Sequence, residues 1–312
     1  MTHRFKLFRR IARLRVPAVA AIILAFTACD TTNSLNPESS APPESGIPTP
    51  DAPSLATVSF AGGIPVGFFA MPYTVIGTRS NGTLRNIYPG NLLSELREIR
   101  NRGGKVVLNL AGAPPRYTDR NGNFSLSMWK ASVDRFKGVN FSSYINDGTV
   151  VGNFLIDEPN DPNNWKNHRP VSVSTLEEMG AYSKNRWPGL RTIVRVRPDY
   201  LGSTHRNIDV AWSQYHSRFG SPSNFIAHDV AIAKNKRVAL ITGFNILKGN
   251  GGRMMTPTQV KSWGGALLNN SYPCAFISWK YNSSKLSGSA MQSALSYLRS
   301  KAQNRSTKNC RG

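Results

Sequence analysis

Acidic side chains are scarce in this sequence, and three of them stand together. The segment Gly152-Asn153-Phe154-Leu155-Ile156-Asp157-Glu158-Pro159-Asn160-Asp161 runs an apolar stretch directly into Asp157, Glu158 and Asp161. Carboxylates delivered by one strand to one loop suit general acid and base work, in which a protonated group supplies a leaving group with its proton and an ionised one activates water. Asp157 and Glu158 are the first candidates. Asp199 and Asp161 follow as bases, with Asp119 behind them, because each falls in a loop that the strand pattern places at the same end of the fold. A structural reading competes: Asp157 and Glu158 would pair with Arg195 and Arg197. Alternation along that run turns Val194 and Val196 to one side and both arginines to the other, and charge inside a fold is costly unless paired. The two readings are compatible, since an arginine that orients a carboxylate also prepares a binding site.

Around these charges the strand ends carry aromatic and amide residues. Tyr73, Tyr117, Tyr215, Trp279 and Tyr281 lie at or near strand ends, with Gln214 and Asn245 as hydroxyl partners. Flat apolar faces and a few hydrogen-bonding groups make up many small-molecule sites, although an aromatic taken singly is more often core than ligand contact. Trp165, in the loop after the carboxylates, is a candidate lid; Trp129, Trp187 and Trp263 are expected in helix packing. The five histidines have no metal-ligand spacing, and neither a Ser-centred nucleophile elbow nor a Walker loop is present. No metal or cofactor is expected.

The elements that must position these residues alternate regularly. Runs rich in Val, Ile, Phe and Leu predict strands at Val66–Met71, Val106–Ala111, Val150–Ile156, Thr192–Arg197, Val210–Tyr215, Val238–Ile246 and Ala275–Tyr281, with a weaker run at Thr83–Tyr88. Helical periodicity fills Asn91–Arg102, Ser127–Asn146, Ser174–Trp187, Pro222–Asn235, Pro257–Asn269 and Ser289–Gln303. Start signals mark three of these: Ser174 with Glu177, Ser221 before Pro222, and Thr256 before Pro257 with Gln259. Such alternation implies a parallel sheet covered by helices, and eight strands in about 245 residues fit a (β/α)8 (TIM) barrel. An open doubly wound sheet is the alternative, but Met71-Pro72-Tyr73-Thr74 stands where its glycine-rich phosphate turn would be. Function in such a barrel sits where strands end and the following loops begin.

With the strands in this order, Phe154-Leu155-Ile156-Asp157-Glu158-Pro159 resembles the fourth-strand end of TIM-barrel glycoside hydrolases, where an Asn-Glu-Pro motif holds the general acid/base. The resemblance implies that Glu158 is the proton donor and that Asp157 stands for the Asn that contacts a sugar hydroxyl. Phe276-Ile277-Ser278-Trp279-Lys280-Tyr281 resembles the eighth strand of those enzymes, whose Trp forms a sugar-stacking floor. Retaining members need a second carboxylate, usually at the end of strand seven. Here that strand ends Thr242-Gly243-Phe244-Asn245, and the last acid of the chain is Asp229. What remains is an inverting enzyme with Glu158 as acid and Asp157, Asp199 or Asp161 as base, an unusual nucleophile, or a non-catalytic carbohydrate-binding barrel. Arg195, Arg197 and the aromatic and amide residues above are the expected substrate contacts.

Composition sets the wider frame. The 312 residues have a formal net charge of +22, with 39 Lys plus Arg against 17 Asp plus Glu. Residues 58–312, expected to form the barrel domain, hold 33 of those bases and 13 of those acids. A basic cleft concentrates acidic ligands, so an anionic glycan is the expected partner. Nucleic acid is not expected, because the bases are scattered and no recognition motif accompanies them. A monomer is expected. Residues 1–28 read as a secretory signal: six bases up to Arg15, an apolar stretch from Val16 to Ala28, then Ala25-Phe26-Thr27-Ala28-Cys29, which resembles a lipoprotein box with Cys29 as the lipidated residue. Residues 29–57, rich in Pro, Ser and Thr, read as a disordered tether. The protein is therefore expected in the bacterial cell envelope, anchored to a membrane through Cys29, with a plain signal and secretion as the alternative. Cys274 opens the last strand and Cys310 follows the last helix, so both belong at the barrel floor, where a disulfide is expected and leaves Cys29 unpaired. Cells fed labelled palmitate should label the wild-type protein and not Cys29→Ser; equal labelling would remove the anchor.

Overall fold

Period-two alternation sorts the strand residues into two cores. Leu84, Val107, Phe154, Ile193, Val210, Trp212, Ala239, Ile241, Ala275 and Ile277 form one cluster, the barrel interior. Their chain neighbours, among them Val106, Leu108, Leu155, Val194, Ala211, Leu240 and Phe276, belong to the larger cluster packed under the helices. In the computed structural model, which describes residues 63–306 and Cys310 apart from positions 78 and 204, the strands close into one parallel barrel in chain order. They are β1 (Val66–Phe69), β2 (Gly82–Arg85), β3 (Lys105–Leu108), β4 (Val150–Asp157), β5 (Thr192–Arg195), β6 (Val210–Tyr215), β7 (Ala239–Phe244) and β8 (Ala275–Ser278). The fold is the expected (β/α)8 TIM barrel, and the weak run at Thr83 does supply the second strand. The signal segment 1–28, the tether 29–57 and Cys29 lie outside the described residues.

The helices are α1 (Leu92–Asn101), α2 (Leu126–Asp134), α3 (Ser142–Asn146), α4 (Val173–Arg186), α5 (Pro222–Asn235), α6 (Pro257–Asn269), α7 (Ser283–Leu286) and α8 (Ser289–Gln303). The single helix expected over 127–146 is two, because the chain turns at Arg135–Gly138 and Asn140 Oδ1 then accepts from the Ser142 amide at 3.1 Å to start α3. The cap of α4 is Ser172, which accepts from the Thr175 amide, and not Ser174. Thr256 and Gln259 form the expected reciprocal capping box of α6. Most strands end earlier than the apolar runs imply, since the residues after them turn into loops at the mouth of the barrel.

One strand departs from simple alternation. Between β4 and β5 the register reads Phe154 opposite Ile193, Ile156 opposite Val194 and Asp157 opposite Arg195, with a shift between Phe154 and Ile156. A bulge of this kind re-aims the side chains beyond it. Phe154 faces inward, Leu155 and Ile156 both join the outer core, and Asp157 returns to the interior side next to Arg195. Strict alternation from Phe154 would have sent Asp157 out among the helices.

On the floor, Cys274 and Cys310 form the expected disulfide, with a Cα–Cα distance of 5.2 Å, and both are buried in the interior cluster. Higher in the barrel, Trp212 Nε1 donates to the Ile277 carbonyl at 3.1 Å. Gly243 permits the same approach of β7 to β8, for a Cβ there would lie 2.1 Å from the Ile277 oxygen. The disulfide closes a loop of 36 residues. Cys310→Ser should lower unfolding free energy by about 2–4 kcal/mol in denaturant titrations of oxidised protein, with no further loss on adding reductant.

Candidate active site

A cavity of about 540 Å3 opens at the C-terminal mouth, lined by residues that follow β4 to β8. Its centre is Arg195, the last residue of β5, 7% exposed. The guanidinium donates from Nε to Asp157 Oδ1 and from Nη1 to Gln214 Oε1, and its Nη2 lies 3.1 Å from Glu158 Oε2. It also sits 5.1 Å from the centre of the Trp279 ring, which stacks on Phe69 at 4.3 Å with nearly parallel planes. Arg195 therefore gathers groups from the end of β4, from β6 and from the loop after β8. The Trp279–Lys280 peptide is cis.

Two adjacent residues of an extended chain ordinarily point to opposite sides, yet Asp157 and Glu158 both line the cavity. The backbone explains it: Glu158 has φ 39, in the left-handed region that a non-glycine residue occupies only at a cost. The turn after it is tied down by Asn164 Nδ2, which donates to the Glu158 carbonyl at 2.9 Å, and by the Asp161 amide, which donates to the same carbonyl at 3.0 Å. The Glu158 side chain is 46% exposed, so its carboxylate meets both solvent and Arg195.

Arg197 also lines the cavity but is committed elsewhere. Its Nη2 lies 2.6 Å from Asp229 Oδ1 and its Nε donates to the same oxygen at 3.0 Å. Asp229, on α5, is fully buried, and His228 Nδ1 is 3.1 Å from it. Burial works to lower the Arg197 pKa, but the bond and charge of Asp229, with Asp199 further off, outweigh it and the net direction is up. The expected pairing of Arg197 with the site carboxylates is therefore replaced by a pairing with α5, because β5 ends at Arg195 and Arg197 already belongs to the following turn.

The architecture matches other barrels. No protein-family model and no curated protein sequence matches the chain. Solved structures do match in shape: a cellulase crystallised with an inhibitor has a TM-score of 0.51 at 11% identity, over 76% of this chain and 92% of that one. ScGas2, solved with a bound compound, has a TM-score of 0.50 at 11% identity, over 81% of this chain and 67% of its own. A GH18 chitinase from Pseudoalteromonas aurantia has a TM-score of 0.47 at 11% identity, over 73% and 98%. At such identity the likeness is one of fold.

Of the residues singled out in the sequence, the cavity brings together Asp157, Glu158, Arg195, Arg197, Gln214, Tyr215, Asn245 and Trp279. Tyr215 donates its hydroxyl to the Gly220 carbonyl at 2.5 Å, and burial pushes the phenol up. The other carboxylates stand apart. Asp119 and Asp161 accept from backbone amides of their own turns, and Asp199 is exposed on the turn after Arg197. Asp157 and Glu158 are the only carboxylates lining the cavity among the described residues. Tyr73 lies beside Arg85, Tyr281 packs on Phe68, and Tyr117 is 2% exposed against Phe124 and Trp165; none lines the cavity. Burial, and after it the charge of Asp157, pushes the Tyr117 phenol well up. Trp165 is buried in that same cluster and is no lid.

Sequence reading missed the wall formed by His216, Arg218, Lys248 and Lys280. They stand one to four residues beyond β6, β7 and β8, and that position after a strand end was the available signal. Because Asp229 is fully buried, Arg197→Met should cost about 3 kcal/mol in urea unfolding by leaving a carboxylate uncompensated, and adding Asp229→Leu should restore part of the loss. Additive costs would remove the pair as a structural unit.

Proposed function

We propose that this protein is a glycoside hydrolase-like barrel of the cell envelope, carried there by the N-terminal signal and held to a membrane through Cys29, that acts on a polysaccharide or glycan. The observation that carries the reading is Glu158: a carboxyl group presented to an open cavity at the end of β4 by a left-handed backbone, beside a stacked tryptophan. Strained backbone concentrates at functional sites. The barrel's likeness to a cellulase supports a glycan at the level of fold.

In this reading a sugar lies beside Trp279, which lines the cavity and whose apolar area suits the flat side of a pyranose. Glu158 gives its proton to the glycosidic oxygen as the bond to the anomeric carbon breaks. Asp157 is the other carboxylate lining the cavity among the described residues. A carboxylate has about four acceptor positions, and Arg195 occupies only part of them, so Asp157 retains sites for the attacking water or a sugar hydroxyl. Gln214, which lines the cavity, keeps a buried Nε2 donor without a hydrogen-bond partner.

One observation favours a second reading, a non-catalytic carbohydrate-binding barrel: Asp157 shares a guanidinium with Glu158, and β7 supplies Asn245 in place of a carboxylate. Reducing-end release across a glycan panel separates the two. Glu158→Gln should lower turnover of any responsive glycan by about 100- to 10,000-fold while leaving its Kd within a few-fold. Undiminished cleavage would exclude Glu158 as the acid; binding without cleavage by the wild type selects the second reading.

A further inference from the structure

We infer that the β6–β8 side of the cavity is a binding wall for an acidic group on the glycan, a carboxylate, sulfate ester or phosphate ester, an inference that rests on the glycan reading of the same cavity. Among the described residues five Lys and Arg side chains line the cavity: Arg195, Arg197, Arg218, Lys248 and Lys280. Two of them are neutralised. Arg195 is shared by Asp157 and Glu158, and Arg197 is held by Asp229. The remaining three have no carboxylate within ion-pair distance among the described residues, and Arg218 has only the Phe219 ring, 4.9 Å away. They reach the cavity from three successive strand ends, so sequence proximity does not explain their meeting.

Two further groups point the same way. His216 Nδ1 accepts from the Arg218 amide at 3.1 Å, so a neutral ring carries its proton on Nε2, as a donor. Gln214, which also lines the cavity, has a buried Nε2 donor without a hydrogen-bond partner. Unpaired cations gathered in a concavity repel one another and raise the local potential, and an anion removes that cost. The site is thus divided: its acids stand on β4, tied to Arg195, and its free positive charge stands across the mouth. A glycan whose scissile oxygen meets Glu158 would set its acidic substituent against Arg218, Lys248 and Lys280.

Isothermal titration of the purified full-length protein tests this with oligogalacturonate, a carrageenan oligosaccharide and a phosphorylated mannan oligosaccharide as carboxylate, sulfate and phosphate probes, and a cello-oligosaccharide of equal length as the neutral comparison. At least one acidic probe should bind about tenfold or more tighter than the neutral one, and the advantage should shrink as salt rises from about 50 to about 500 mM. Arg218→Ala/Lys248→Ala/Lys280→Ala should abolish the preference. Arg97→Ala/Lys137→Ala/Lys261→Ala, which removes exposed cations outside the cavity, should keep it. Equal binding of neutral and acidic probes, no binding of any acidic probe, or equal losses in the two triple variants would each overturn the wall. Glu158-dependent cleavage of a neutral glycan without acidic preference would sink the wall alone. Acidic binding that persists in Glu158→Gln, with no glycan cleaved by the wild type, would sink the hydrolase reading alone.

Discussion

A guanidinium buried at the mouth of a barrel constrains everything around it. Arg195 cannot shed its charge, and removing it from water costs several kcal/mol unless partners replace the solvent. Here the replacements are Asp157, Glu158, the Gln214 amide oxygen and the face of Trp279. They come from three places in the chain, and each must be aimed at the same few ångströms. The bulge in β4 is what lets Asp157 lie beside Arg195 on the inner side, and the left-handed turn at Glu158 is what brings the next carboxylate to the same cation. These two departures from regular backbone are local costs that the pairing with Arg195 offsets.

The same logic separates what was legible in the sequence from what was not. Alternating apolar runs and helical periods are local, so the barrel, its strand order and the boundaries of β6, α5, α6 and α8 could be read directly. The disulfide followed from topology, because a strand start and the end of a final helix share one face. The Asp157-Glu158 pair was visible as a charge break after an apolar strand. What stayed hidden depends on tertiary partners. Nothing in Leu155-Ile156 announces a bulge, since both residues are equally good strand formers. Arg195 and Arg197 look equivalent by parity, and only the end of β5 after Arg195 sends Arg197 to Asp229 on α5. Asp119, Asp161 and Asp199 are loop acids on paper; in the fold, Asp119 and Asp161 cap their own turns and Asp199 lies exposed on the turn after Arg197.

Aromatic residues divide along a similar line. Trp279 and Tyr117 both come after a strand, but Trp279 continues the inward parity of Ala275 and Ile277 and emerges into the mouth, whereas Tyr117 lies nine residues past β3 and is enclosed by Phe124 and Trp165. Tyr117 still feels the site electrostatically: burial, and after it the charge of Asp157, pushes its phenol up.

The excess of bases over acids also takes on a place. Most of the domain's described cations lie on loops and helices outside the cavity and say little about its ligand. Those at the mouth are different, because a concave wall of low polarisability focuses their field. Arg195 and Arg197 spend that field on carboxylates of the chain itself, while Arg218, Lys248 and Lys280 do not. The missing carboxylate at the end of β7 belongs to this pattern: an acid at Asn245 would stand between Lys248 and Trp279 and neutralise the one part of the mouth where positive charge is free. Asn245 at the end of β7 and the unpaired cations after β6, β7 and β8 thus make one electrostatic arrangement, in which the negative charge facing that wall must come from what binds.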